Sequence, residues 1–208
     1  NVPKSAPPEA PRMIVFSQNA IINICLNRYD IIIKPPKHIN TEIIASFNFV
    51  RSVITELLDH LIFTDFQYQW TGIISNFEHA LSKGEKKSIE VVTPFFDKLI
   101  NIKRNDNKLS SFQLQFGFEE NGFYKNYTLS GYDKMNVALP INLKFGEQIS
   151  IDKSNLKIIE SGIQFIVDIN NKSLVKKREL KADYLEIIEE IIISFNNIPK
   201  IFNIEGLI

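Results

Sequence analysis

The stretch "SFQLQFGFEENGFYKNYTLSGY", residues 111–132, constrains the fold more than any other part of the chain. It sets Asn121-Gly122 between two runs in which apolar and polar residues alternate. Asn-Gly suits a two-residue turn with positive φ at both positions, and such a turn matches the twist of paired antiparallel strands. With those two residues as the loop, Phe118 faces Lys125, Phe116 faces Tyr127 and Leu114 faces Leu129. On the other side Gln115 meets Thr128 and Gln113 meets Ser130. One face is then apolar and the other hydrogen-bonding, the pattern of an antiparallel sheet covered on one side only. A slip by one residue would exchange the faces, so the same pattern fixes the register.

The flanking sequence supplies more strands and two amphipathic helices. "RMIVFS", "NAIINICL" and "RYDIIIK" read as three strands, and Pro35-Pro36 ends the last because proline has no amide to donate. Ile43, Phe47, Val50, Ile54, Leu57 and Leu61 then recur at helical spacing behind an N-cap at Asn40 or Thr41. "FQYQWTG" opens a strand running to Ser75, "FEHALSKGEKK" reads as a short helix or loop, and "SIEVVTPFFDKLINI" as a helix with Pro94 near its start or at a break. Ile163, Phe165, Val167 and Ile169 alternate as a strand, with Gly162 as a bulge and Asn170-Asn171 as a turn. Leu180, Tyr184, Ile188, Ile191 and Phe195 form the inner stripe of a last helix, closed by Pro199, with Asp183, Glu186 and Glu190 on its solvated side. The expected fold is α+β: a mainly antiparallel sheet, a long helix after the N-terminal strands, and a C-terminal helix packed on the sheet.

At 208 residues the chain is sized for one domain. Residues 1–11, rich in proline and small side chains, read as an extended or disordered arm, and 12–208 as a single α+β domain. Any division into two sheet–helix halves is expected near 80–110. Basic and acidic residues balance at 24 each, so no global cationic surface exists to displace counterions from nucleic acid. The one cysteine, Cys25, rules out an internal disulfide and fits a reducing, cytoplasmic setting. No apolar run approaches the roughly 20 residues that span a bilayer, and the opening residues lack the apolar core of a signal peptide.

The aromatic alternation Phe66, Tyr68, Trp70 invites comparison with base-stacking platforms, but these need nearby Lys or Arg. From Asp65 to His79 the only charges are Asp65 and Glu78, so the three rings read as core. Gln67 and Gln69 would share a neutral hydrogen-bonding face with Gln113, Gln115 and Thr128 if the two strand regions adjoin. That face, and Phe49 near the polar side of the first helix, are the candidate partner-binding residues. His38, His60 and His79 lack metal-type spacing, eight scattered glycines form no phosphate-binding loop, and no GxSxG elbow occurs. Neither a metal nor another cofactor is expected. "KSLVKKREL" is the one local cationic feature, with Lys172, Lys176, Lys177 and Arg178 as candidate phosphate-facing residues. A dispersed enzyme site would draw on groups such as Asp30, His38 and Asp168.

Taken in order, "PRMIVFSQNAIINICLNRYDI", a helix, the aromatic strand "FQYQWTGII", later sheet strands and "YLEIIEEIIISFNNI" resemble a sporadically distributed bacterial protein family. The resemblance covers most of residues 11–202 and rests on the order of elements, so it carries over no functional residue. A patchy distribution implies a mobile or defence-linked setting. The expected function is a non-catalytic cytoplasmic interaction protein that binds or regulates another protein, or pairs with itself through a sheet edge. The alternatives are nucleic-acid binding through the 172–181 basic run and an enzyme with dispersed residues.

Overall fold

The computed structural model describes residues 6–25, 29–39, 42–60, 69–84, 86–99, 109–136, 156–172 and 179–201. They fall into two compact units, one drawn from Asn1–Tyr68 with Arg178–Ile188, the other from Gln69–Lys177 with Glu189–Ile208.

In the first unit β1 (Met13–Phe16), β2 (Ala20–Ile24) and β3 (Tyr29–Ile33) form an antiparallel meander in that order. Ser17 closes the first turn: its N–H donates to Ala20 O at 2.8 Å, and its Oγ accepts from Ala20 N–H at 3.0 Å. Arg12 Nη2 donates to Ala6 O at 3.1 Å, and the buried Cys25 thiol donates to Glu9 O at the same distance. Helix α1 (Ile43–His60) buries Phe47 and Ile54 and half-buries Val50 and Leu57, as the spacing predicts. Its N-cap and Leu61 lie outside the described residues. Near its C-terminal end, Asp59 takes an ion pair from Lys181 at 2.6 Å.

The second unit is a four-stranded antiparallel sheet of β4 (Gly72–Lys83), β7 (Lys157–Asn170), β6 (Phe123–Asn136) and β5 (Gln113–Glu120), in that order. The hairpin has the register read from sequence, from Gln113 opposite Ser130 to Phe118 opposite Lys125. Asn121 and Gly122 take φ of 53° and 83°, as the turn demands. One face carries Leu129, Phe165, Val167 and Ile169, all buried, and packs on helices. Helix α3 (Leu180–Ile201) sets Phe195 4.6 Å from Phe77 by ring centroids, and Ser194 Oγ 2.9 Å from Tyr127 Oη. Helix α2 (Ser88–Leu99) rests on Gly131, where a Cβ would stand 3.0 Å from Ser88 and 3.2 Å from Val92. Asp133 caps α2 by accepting from Ser88 N–H and Oγ at 2.6 and 3.0 Å.

Several expectations are corrected. "FEHALSKGEKK" is chiefly strand, because β4 continues through it to Lys83. Leu81 is an extra residue between Ala80 and Ser82, and that bulge breaks the period-two signal. The bulge therefore lies opposite Gly162 and not at it. Pro94 stands at neither the start nor a break but inside α2, six residues after Ser88, and helix α3 likewise passes through Pro199 to Ile201, since a proline in the last turn costs a single intrahelical bond. Its supposed outer stripe is partly interior: Asp183 is 2% exposed and Glu190 is half-buried.

Candidate functional site

The strand register carries a polar face across the second unit, on the side away from α2 and α3. Gln113, Ser130, Gln164 and Glu78 form one row across β5, β6, β7 and β4. Gln115, Thr128, Ile166 and Asn76 form the next, and Gly117, Asn126, Asp168 and Ile74 the third. Directly opposite residues share a face, so these twelve positions lie together over about 14 Å from edge strand to edge strand. The two outer strands hold Gln113, Gln115, Asn76 and Glu78 exposed, while Thr128, Ser130 and Gln164 are half-buried between them. Asp168 accepts from Asn126 Nδ2 and Asn170 Nδ2, both at 3.4 Å. Amides and hydroxyls dominate, and the carboxylates Glu78, Glu119, Glu160 and Asp168 exceed the ammonium groups Lys83, Lys134 and Lys157 by one. Such a surface offers hydrogen bonds and has no cationic excess to draw phosphate.

One end of this face is tied by charge. Lys134 Nζ lies 2.7 Å from Glu160 and 2.8 Å from Glu78, and Tyr132 Oη donates to Glu160 at 2.8 Å. Hydrogen bonds from Lys134 and then Tyr132 hold Glu160 below the usual glutamate range, while Glu160 and Glu78 raise Lys134. Burial, with the Glu160 hydrogen bond second, pushes Tyr132 up to about 12. Its neutral form is thus favoured by folding, and the stability it adds is complete below the ordinary tyrosine value and lost as pH rises through about 12. Difference titration of tyrosinate absorbance between the wild type and Tyr132→Phe should remove a step near that pH. Removal of a step at the ordinary value would contradict this placement.

The helix-covered side holds a buried cation. Lys125 is 5% exposed on β6, and its Nζ lies 2.6 Å from Glu190 on α3 and 2.8 Å from Glu120 on β5. Burial opposes its charge, yet the two carboxylates overcome that and raise its pKa. The hydrogen bond from Lys125, then its charge, lowers Glu120. Both carboxylates are occupied by the lysine, which makes this group a fastener between sheet and helix.

Of the residues expected to bind a partner, Gln113, Gln115 and Thr128 stand side by side on the polar face. Gln69 is exposed but precedes β4, at the sheet edge opposite β5, so it does not adjoin Gln113 and Gln115. Gln67 lies outside the described residues, as do Phe66 and Tyr68. Phe49 is half-buried on α1. Trp70 was expected in the core and is 48% exposed, because the strand begins only at Gly72. Thr71 and Asn171 pin its base: Thr71 N–H donates to Asn171 Oδ1 at 2.7 Å, and Asn171 N–H to Thr71 O at 3.0 Å. Lys172 then sits with Nζ 4.1 Å from the Trp70 ring centroid. Iodide should quench this single tryptophan strongly, drawn by the ammonium, and less strongly in Lys172→Gln. Weak quenching in the wild type would restore the core assignment.

Lys176, Lys177 and Arg178 lie outside the described residues, and Lys181 is committed to Asp59. Asp30 lies on β3 opposite Asn23, His38 is exposed in the turn after β3, and Asp168 belongs to the polar face of the second unit. Among the described residues no group of three or more His, Cys, Asp or Glu could hold a metal ion. No described helix is long and apolar enough to cross a membrane. The extension of the polar face onto β7 and β4, through Gln164, Asp168 and Asn76, escaped the sequence reading. The alternation of β7 held that signal, in the polar residues between Ile163, Phe165 and Val167.

Compared with protein-family models, with curated proteins and with solved structures, the chain has no match.

Proposed function

We propose that the chain is a non-catalytic interaction protein that docks another protein on the polar face of its four-stranded sheet. The observation that carries this reading is the convergence of Gln113, Gln115, Asn76, Thr128 and Ser130 on the sheet face opposite α2 and the part of α3 in this unit. Short hydroxyl side chains flanked by planar amides suit a flat, hydrogen-bonded contact with a folded surface. The excess of carboxylates favours a neutral or basic protein over a nucleic acid. A bacterial cytoplasmic setting, linked to mobile or defence genes, belongs to the same proposal and rests on the family resemblance.

Affinity capture with nuclease-treated extract tests it. A protein held in stoichiometric amount by the wild type and lost with Gln115→Lys/Thr128→Lys supports the docking face. Equal capture by both chains sinks it.

A second reading has one observation in its favour, the placement of Lys172 beside the exposed Trp70. Nucleic-acid binding sites pair cations with rings in this way. Under that reading, affinity for single strands falls steeply with salt. A flat salt response dismisses it.

A further inference from the structure

We infer that β1 is a strand-pairing edge that takes β1 of a second copy of this chain, antiparallel and centred on Val15. All four of its side chains are exposed: Met13 59%, Ile14 46%, Val15 46% and Phe16 71%. Ile14 and Phe16 lie on one face of the strand, Met13 and Val15 on the other. β1 ends the order β1-β2-β3, so among the described residues its outer side has no neighbour in the sheet.

Edges of this kind are normally guarded by charge, proline or a bulge. The other sheet shows the guards: β5 ends in Glu119 and Glu120, and β4 carries Glu78, Lys83 and the extra residue Leu81. Residues 13–16 carry none. The nearest charge, Arg12, reaches back to Ala6 O.

The backbone fixes how a second copy would seat. Ser17 N–H donates to Ala20 O, which makes 17 and 20 a hydrogen-bonded pair. By the antiparallel alternation, Met13 and Val15 turn their amides to β2, while Ile14 and Phe16 turn theirs outward. A two-fold axis through Val15 sets Ile14 of each copy opposite Phe16 of the other. The outward amides and carbonyls of Ile14 and Phe16 are then satisfied, the Ile14–Phe16 and Val15–Val15 pairs are apolar against apolar, and Met13 falls opposite Ser17 of the other copy. The partner is a second copy because the same three residues, Ile14, Val15 and Phe16, supply both halves of this match. Edge pairing covers only part of what these side chains expose, so the contact is small and in the range of weak, reversible interfaces. The dimer therefore forms with rising concentration. None of these residues lies on the polar face of the second unit, so the two proposals fail separately.

The test uses the full chain. Sedimentation across a concentration series should show the mass rising towards two copies, and Ile14→Lys/Phe16→Lys should hold it at one copy with an unchanged circular dichroism spectrum. A single mass at every concentration, or a rise that survives those changes, overturns the proposal. Should that variant lose its fold, oxidative cross-linking in a Cys25→Ser background decides. Val15 faces its own symmetry mate as a non-hydrogen-bonded pair, within disulfide reach, whereas Phe16 and its mate are offset diagonally beyond it. Val15→Cys should link severalfold faster than Phe16→Cys, although Phe16 is the more exposed. Equal or reversed rates overturn the pairing.

Discussion

Gly162→Val is expected to lower stability by more than about 3 kcal/mol, because the new side chain would start inside the backbone of β4. Gly162 lies in the middle of β7, opposite Ala80 on β4 and Tyr132 on β6. A Cβ there would overlap His79 O and come within 3.0 Å of Ala80 Cα. Neither neighbour is the end of a flexible side chain, so β4 must move. That movement breaks the register beside the Leu81 bulge, where the ladder is already interrupted. Urea unfolding followed by circular dichroism measures the loss. Gly84→Ala gives the comparison, since a Cβ at Gly84 meets nothing within 4 Å, though its φ of 124° adds backbone strain. A Gly162→Val chain as stable as wild type would mean that β4 does not pair with β7 as described.

Lys125→Ala is expected to cost about 3 kcal/mol, the scale for removing one partner of a buried ion pair. The lysine side chain is 7% exposed and Glu190 19%, so the abandoned Glu190 is largely shielded from water. Glu120 is 61% exposed and simply returns to solvent. Lys125→Met/Glu190→Leu should recover much of the loss, because an apolar pair of similar volume removes both charges together. The linkage with pH has a definite sign. Lys125 is raised by folding, so its contribution is complete below the ordinary lysine value and disappears as pH rises through the raised one. Glu120 is lowered, so its part is present above the ordinary glutamate value and disappears as pH falls through the lowered one. If the single and double variants are equally unstable, Lys125 is held by packing alone.

The hairpin was legible because two independent signals agree there. Asn121-Gly122 fixes the turn, and the alternation of Phe116, Phe118, Tyr127 and Leu129 with Gln113, Gln115 and Thr128 fixes the register. Where a local signal was interrupted, the reading failed. Leu81 shifts the phase of β4 by one residue, and the stretch after Phe77 then no longer looks like a strand. Polar residues in the interior were the second obstacle. Glu190 and Asp183 read as solvated, since nothing near them in sequence announces Lys125 or the burial of that part of α3. Trp70 failed for a related reason: its cation comes from Lys172, at the far end of β7, and only strand pairing brings the two together. The polar face was half legible. Its β5–β6 rows follow from the hairpin, while its β7 and β4 rows need the sheet order.

The most direct measurement places a photo-activated cross-linking residue at Gln115 of the full chain, with Ser52 on the exposed side of α1 as the comparison position. Docking on the polar sheet face predicts one defined protein adduct from Gln115, resistant to nuclease and absent from Ser52. Adducts from Ser52 alone, or from neither position while the partner remains bound, would contradict it.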